Sequence, residues 1–434
     1  MNNPHPHPFE LLVGCDRSDS KIDLCLIDTR TSACTTQCVS SAPEALHAWA
    51  AELRLRYPAA RVAFIVEQPA RNLVSFFEAY AWIRLYPINP LTLLRFRQAF
   101  VTSCAKDDLV DARFLAELLL HHLDKLQAWT PDTPTTRTLH YLTQQRRALV
   151  DERTALTNRL QAYLKDYFPQ AIELLGPELW RPFAVALLQK WPTLQVLRKV
   201  SEAKLRAFFF LHGSRSTELV DRRLALLAKA VPLSDDPALL ASHSLIVKAI
   251  CRSIEILTQG IEQHDQALAS AFAEHPDRAL FAELPGAGAV LAPRLLAAMG
   301  SLRERFPTAV TLQCASGIAP VTKRSGKSHK VQRRYRCPMF MRQAFHEFAR
   351  TSLRYCRWAA AFVEMQREAG KSFHTAVRAL AYKWQRILWK CWQSRSAYSD
   401  AVYEAALQRK GSPLHARLVA MPLGEGKNLQ AGEA

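Results

Sequence analysis

The sequence predicts an α/β domain followed by a mainly helical remainder. Short strand-like runs are confined to the first 90 residues, whereas two later stretches carry apolar residues at heptad spacing over about six turns or more. In a chain of 434 residues, 49% apolar content is enough for buried cores and excludes disorder as the main state.

The elements follow in order. Residues 11–15 form an apolar run ending in Asp16, and residues 22–28 alternate around Leu24 and Leu26 after a short turn. A weaker strand is expected near 33–39. Residues 43–57 have helical spacing (Leu46, Trp49, Leu53), with Pro43 suited to a first turn. Residues 62–66 read as a buried strand ending in Glu67. A helix over 72–81, a strand over 82–88 closed by Pro90, and a helix from about Asp108 to His121 complete the domain. Three strands, then helix, strand, helix, strand, helix fit a meander joined to parallel βαβ units, the ribonuclease-H-like order.

Residues 131–134 (Pro-Asp-Thr-Pro) read as a linker. In the long helix behind it, Leu142, Leu149, Leu156 and Tyr163 share one heptad position. Leu139 and Leu160 hold the other, interrupted by Arg146 and Arg153. A second seam runs Ile250, Ile254, Leu257, Ile261, His264, Leu268, Ala271, and the two helices are expected to pair as an antiparallel or intermolecular coiled coil. His264, alone on an apolar face, reads as a tolerated core residue. Residues 177–231 look like a helical insert whose chemistry is silent. From Glu283 the chain holds a Leu-Pro-Gly-Ala-Gly turn, an apolar helix over 290–299, a basic turn-rich segment through Arg336, and helices near 340–367 and 373–392. The expected division is 8–130 metal domain, 131–280 coiled-coil arm with insert, 281–410 C-terminal domain, and 411–434 disordered tail.

Charge narrows the function. The chain holds 57 Lys+Arg against 39 Asp+Glu, a net +18, which points to a polyanion. Residues 321–360 carry 11 Lys/Arg and one acid, Glu347. No run of 18 apolar residues suggests a membrane span, and the first residues lack a signal-peptide pattern, so a cytoplasmic protein is expected. Ten cysteines without a CxxC pair read as buried free thiols in a reducing compartment, neither a disulfide scaffold nor a structural zinc site.

The acids of the first domain form the first candidate site. Asp16 and Glu67 end strands that should lie side by side and parallel, so both carboxylates emerge at one sheet edge. Asp108 and Asp111 share a helical face. Clustered like charges need a reason, and hard divalent cations take carboxylate oxygens. Taken singly, Asp16 reads as a turn residue and Asp108 as a helix N-cap; as a set they read as a metal site. Asp107 competes with Asp108 in register.

The second candidate lies in the C-terminal third. Gly286 and Gly288 can let backbone N–H groups approach a phosphate, or can serve a simple turn. Ser325 sits among Lys323, Arg324, Lys327 and Lys330, with Arg333, Arg334 and Arg336 beyond. Cations there can hold phosphate oxygens and activate a hydroxyl. On chemistry alone, a nucleic-acid-binding loop with an ordinary serine is the better reading. Val321 stands where a P-loop needs glycine, so the Gly326-Lys327-Ser328 run is not one. Near 373–392, Phe373, Tyr382, Trp384, Trp389 and Trp392 interleave with Arg378, Lys383, Arg386 and Lys390, and most of the aromatics are expected in the core.

These motifs together resemble the DEDD transposases of insertion sequences, relatives of the pilin-gene invertase. The resemblance rests on Gly14-Cys15-Asp16 with Lys21-Ile22-Asp23, on Val66-Glu67, and on Lys106 through Arg113 as a K-x-D-x-x-D-A run. It also rests on Leu284 through Gly288, Gly317 through Pro320, and Arg324 through Lys327. It implies a RuvC-like metal domain, a coiled-coil arm and a C-terminal domain with a helix-hairpin-helix-like element and a catalytic serine. The implied site is Asp16, Glu67, Asp108, Asp111 and Ser325, with Mg²⁺ (Mn²⁺ possible). DNA recombination through a phosphoserine intermediate, a non-coding bridge RNA and a homo-oligomer, a tetramer or dimer of dimers, are implied in the same way. A RuvC-type Mg²⁺-dependent junction endonuclease and a non-enzymatic nucleic-acid-binding protein stand as alternatives.

Overall fold

A computed structural model describes residues 7–68, 71–100, 108–213, 216–326 and 328–420. The chain divides into two compact units between Pro131 and Asp132. The first is α/β and the second almost wholly helical.

In the first unit, β1 (Leu11–Arg17), β2 (Lys21–Asp28) and β3 (Cys34–Ser40) form an antiparallel meander. Then follow α1 (Pro43–Arg56), β4 (Val62–Glu67), α2 (Arg71–Phe77) and β5 (Ile83–Ile88). Both β4 and β5 join in parallel, giving the sheet order β3-β2-β1-β4-β5, which is compatible with a ribonuclease-H-like domain. Pro87 lies within β5, tolerated because β5 is an edge strand.

Alternation along the strands makes two cores. Leu11, Val13, Cys15, Leu24, Phe64 and Val66 face α1 and α2, with Trp49 and Phe77 packed among them. Leu12, Cys25, Ile27, Ala63 and Ile65 face α4 (Asp108–His122), through Ala112, Leu115 and Ala116.

One helix of this unit was not legible in the sequence. Pro90, expected only to close β5, opens α3 (Pro90–Phe100), because proline's missing N–H costs nothing at a first helical position. Cysteine burial also differs from expectation: Cys15 and Cys25 are buried, but Cys34 and Cys38 on β3 are exposed.

The second unit begins with a tether in place of a free linker. Asp132 accepts from the Ser301 N–H at 2.8 Å and pairs with Arg305 at 2.5 Å, in the hollow beside Gly300. Thr133 caps α5 (Pro134–Tyr167) by accepting from the Thr136 N–H. Helices α6 to α10, from Gln170–Leu175 to Thr217–Lys229, form a small core at the far end of α5. The chain returns along α11 (Pro237–Ala273).

The pair is antiparallel within one chain: Thr136 meets His275, Arg146 meets Asp265, and Tyr163 meets His243. The α11 seam buries Ile250, Ile254, Ile261 and Leu268, and α5 buries Leu139 and Leu160, as expected, but the other α5 position is shifted. Thr143 and Thr157 are buried, whereas Leu142, Leu149 and Leu156 are half-buried. The threonine hydroxyls donate to Leu139 O at 2.7 Å and Arg153 O at 2.8 Å, so they are buried already satisfied. His264 bonds its own helix, at Gly260 O.

The C-terminal body holds α12 (Arg278–Ala282), α13 (Gly288–Met299), α14 (Ala309–Ala315) and a hairpin of β6 (Val321–Ser325) and β7 (Ser328–Gln332). Then come α15 (Met339–Ser352), α16 (Arg357–Glu368), α17 (Phe373–Ser394), α18 (Asp400–Arg409) and α19 (Pro413–Ala420). The single helix expected over 340–367 is two, broken before Cys356. The expected disordered tail starts too early: α19 buries Leu414 and Leu418 and pairs Arg417 with Glu368. Residues 421–434 lie outside the described residues. Trp384 and Trp392 are fully buried, as helical spacing predicted. Among the described residues, no helix is long and apolar enough to cross a membrane.

Candidate functional site

The carboxylates of the first unit share one face of its sheet. In strand parity Asp16 follows Leu12 and Gly14, and Glu67 follows Ala63 and Ile65, all on the side covered by α4. Cys15 pairs with Val66, so Asp16 and Glu67 leave adjacent parallel strands at the same level.

Gly14 explains how α4 reaches them. A Cβ at this position would lie 2.0 Å from Ala112 O and 2.5 Å from Ala116 N. Only glycine lets the helix backbone rest directly on β1, one residue pair before Asp16. The first turn of α4 then carries Asp108 and Asp111 to the same face.

Two residues join this set that the sequence reading did not assign to the site. Asp23 on β2 stands directly opposite Asp16, is 3% exposed, and accepts from Lys21 at 2.7 Å. That bond holds the Lys21 ammonium above its ordinary pKa. Parity with Cys25 and Ile27 was the signal that could have found Asp23. Arg97, on the unforeseen α3, reaches Asp111 with Nη1 at 2.9 and 3.2 Å, and both side chains are largely buried.

By donor type the set fits a hard divalent cation: carboxylate oxygens from neighbouring elements on one face. It does not converge on an ion. Among the described residues, no three His, Cys, Asp or Glu side chains are grouped closely enough to hold a metal. Arg97 and Lys21 neutralise two of the acids instead. Asp107 lies outside the described residues.

The second candidate is the β6–β7 hairpin. Ser325 pairs with Ser328 across a two-residue turn in which Gly326 has φ +54°, as tight hairpins favour. Thr322 to Gln332 are exposed, apart from Lys327, which lies outside the described residues. Lys323 stands directly opposite Lys330, and Arg324 opposite His329. Like charges facing each other destabilise a two-stranded ribbon that has little else to hold it. A polyanion against the hairpin removes that repulsion.

Beyond β7, Arg333 and Arg336 are exposed, but Arg334 turns inward to Ala319 O at 3.4 Å and Cys314 Sγ at 3.8 Å. The two glycines of the α12–α13 turn also part company. Gly286 (φ +80°) is required by packing, since a Cβ would meet Tyr355 at 2.7 Å; Gly288 (φ +55°) faces open space at the start of α13.

A sheet face of carboxylates and a cationic hairpin are the equipment of a protein that works on nucleic acid. Comparison with known proteins is specific. A DEDD transposase family of the IS110 type matches residues 13–169, and the IS116/IS110/IS902 transposase family matches residues 278–364. In these two stretches the chain is similar to IS110/IS116-family transposases. It is 27% identical over 321 residues to the mini-circle putative transposase for IS117 of Streptomyces coelicolor, covering 73% of this chain and 78% of that one. It is 26% identical to the IS900 uncharacterized 42 kDa protein of Mycobacterium paratuberculosis, covering 69% and 75%. It is 25% identical to the IS116 uncharacterized 44.8 kDa protein of Streptomyces clavuligerus, covering 68% and 73%.

Proposed function

We propose that this protein is an insertion-sequence transposase that cuts and rejoins DNA by transesterification at Ser325. The observation that carries this is the hairpin, where a hydroxyl stands at the tip of a ribbon whose facing cations, Lys323 and Lys330, call for phosphate. The transposase families matched on both sides of the arm support it. Ser325 Oγ attacks phosphorus and forms a Ser–O–P bond as the P–O bond to the departing sugar breaks. That sugar oxygen takes up a proton. A DNA hydroxyl then attacks the phosphoserine and restores the serine. Lys323, Arg324 and Lys327 offset the charge on the pentacoordinate phosphorus.

Asp16, Glu67, Asp108 and Asp111 would hold Mg²⁺ or Mn²⁺, whose chemistry is to neutralise charge on phosphate oxygens. Arg97 must release Asp111 for that to happen. Donor and target DNA, a non-coding guide RNA and a homo-oligomer, a tetramer or dimer of dimers, complete the reading. The net charge of +18 suits two polyanions.

The test is covalency. Incubated with labelled DNA carrying the element's ends and resolved under denaturing conditions, the protein should leave a protein–DNA adduct. Free ends without an adduct would favour a metal-dependent junction nuclease, and binding without cleavage a non-enzymatic role.

The acids give a separate expectation. Asp108→Asn or Glu67→Gln should leave the fold and DNA binding near normal while strand transfer falls at least about a hundredfold, regained in part with Mn²⁺. Full activity in ordinary Mg²⁺ would remove that residue from the site.

For the hairpin, Lys323→Gln combined with Lys330→Gln should flatten the log–log salt dependence of duplex binding by about 1.8, at roughly 0.9 counterion per contact. An unchanged slope puts the interface elsewhere.

A further inference from the structure

The strap between β7 and α15 holds Tyr335 out from the body of the fold. Tyr335 is 75% exposed, although Arg334 before it and Cys337 two residues after it are fastened down. Arg334 is bonded inward to Ala319 O and Cys314 Sγ. Cys337 lies in the hollow left by Gly317 (φ +74°), where a Cβ would be 2.1 Å from its sulfur. The strap is thus anchored so that the Tyr335 ring stands in water with a face free to stack.

One cation lies against that ring, and two more gather about the strap. The Arg333 guanidinium lies 5.6 Å from the ring centroid. From α15, Arg342 donates to Tyr335 O and to Cys337 Sγ, both at 3.4 Å. From α17, Arg378 has a buried Nε with no hydrogen-bond partner among the described residues. Burial, then the charges of Arg333 and Arg342, push its pKa down. Among the described residues none of these three arginines pairs with a carboxylate, although most other partly buried arginines of this unit do, such as Arg294 and Arg303. The nearby acid, Glu347, is already taken by Arg147 and Arg294.

We propose that Tyr335 with Arg333, Arg342 and Arg378 forms a site for one unpaired nucleotide, the base stacked on the tyrosine ring and the phosphate held by the arginines. Each part answers a deficit in the structure. A base has an apolar face for the exposed ring, and a phosphate supplies the negative charge that the arginine cluster lacks. In a duplex the base faces are already stacked, so the site selects a strand that is open. This deepens the transposase reading and rests on it: strand exchange exposes unpaired nucleotides, and the site follows the hairpin carrying Ser325 by three residues beyond β7.

Binding of fluorescent 12-mers of oligo-dT and oligo-rU, and of a mixed-sequence duplex of the same length, to the full chain tests it. Tyr335→Ala should weaken at least one of the single strands by about fivefold to a hundredfold, the range of one lost stack, and leave the duplex within about twofold. Tyr335→Trp should keep or improve single-strand binding, and Arg378→Gln should weaken it. Loss for dT alone assigns a DNA strand, loss for rU alone an RNA strand, and loss for both an unpaired strand of either kind. Equal losses on single strand and duplex, no loss at all, or failure of tryptophan to rescue would overturn the site. Covalent adduct formation reads the transposase function separately. A chain that loses single-strand affinity with Tyr335→Ala but never forms an adduct keeps the nucleotide site and overturns the transposition chemistry.

Discussion

A Ser325→Ala chain is expected to bind DNA as the parent does and to leave no protein covalently attached to it. Ser325 ends β6 at the exposed tip of the hairpin, opposite Ser328. Removing one exposed hydroxyl there opens no cavity and buries no unpaired group, so fold and binding are retained. The chemistry is different. The serine oxygen is the atom that makes the new bond to phosphorus, and nothing in alanine replaces it. Strand transfer should fall by on the order of 10⁴-fold or more, as when other enzymes lose their nucleophile. Ser328→Ala is the control, because it shares the exposure and the surrounding cations. A denaturing gel decides the matter: an adduct that survives in Ser325→Ala, or one lost only in Ser328→Ala, moves the nucleophile elsewhere.

Gly14→Ala should disable the protein by a wholly different route. The added methyl would sit 2.0 Å from Ala112 O and 2.5 Å from Ala116 N, and both are helix backbone that cannot swing aside as a side chain does. Either α4 lifts from β1 or the strand shifts, at a cost of about 3 kcal/mol or more. Lifting α4 exposes Leu115 and Ala116, now fully buried, and carries Asp108 and Asp111 away from Asp16 and Glu67. Urea unfolding followed by the fluorescence of Trp49, buried in the first unit, should show a clearly lower midpoint. A midpoint matching the parent's would mean that α4 does not rest on Gly14.

Gly14 also shows what the sequence can and cannot disclose. Strand order in the first unit was legible because period-2 alternation and chain connectivity leave few topologies open. The placement of Asp16 and Glu67 on one edge followed from that order alone. The close approach of α4 did not, since a glycine in a strand does not name its neighbour. Helix α3 was hidden because Pro90 reads equally as the end of a strand and the start of a helix, and with it went Arg97 and its hold on Asp111. In α5, Leu139 and Leu160 were placed rightly, but the other seam position was misread by one residue because leucines were ranked above threonines; hydroxyls bonded back to the helix bury more readily than their polarity suggests. In the basic segment, glycine and charge read as a loop. Cross-strand pairing of Lys323 with Lys330 appears only once the two strands are aligned.

The antiparallel pair of α5 and α11 has a mechanical consequence. Helix α5 is 34 residues long, about 50 Å at 1.5 Å per residue, and it carries the α6–α10 core at its tip. The pair is a lever: each degree of tilt at its base, beside Thr136 and His275, moves the tip by about 1 Å. Polar groups at fixed steps, with Arg146 on Asp265, act as detents against sliding, so the two shafts turn together. Whatever the tip touches is thereby geared to small rotations in the body that bears Ser325.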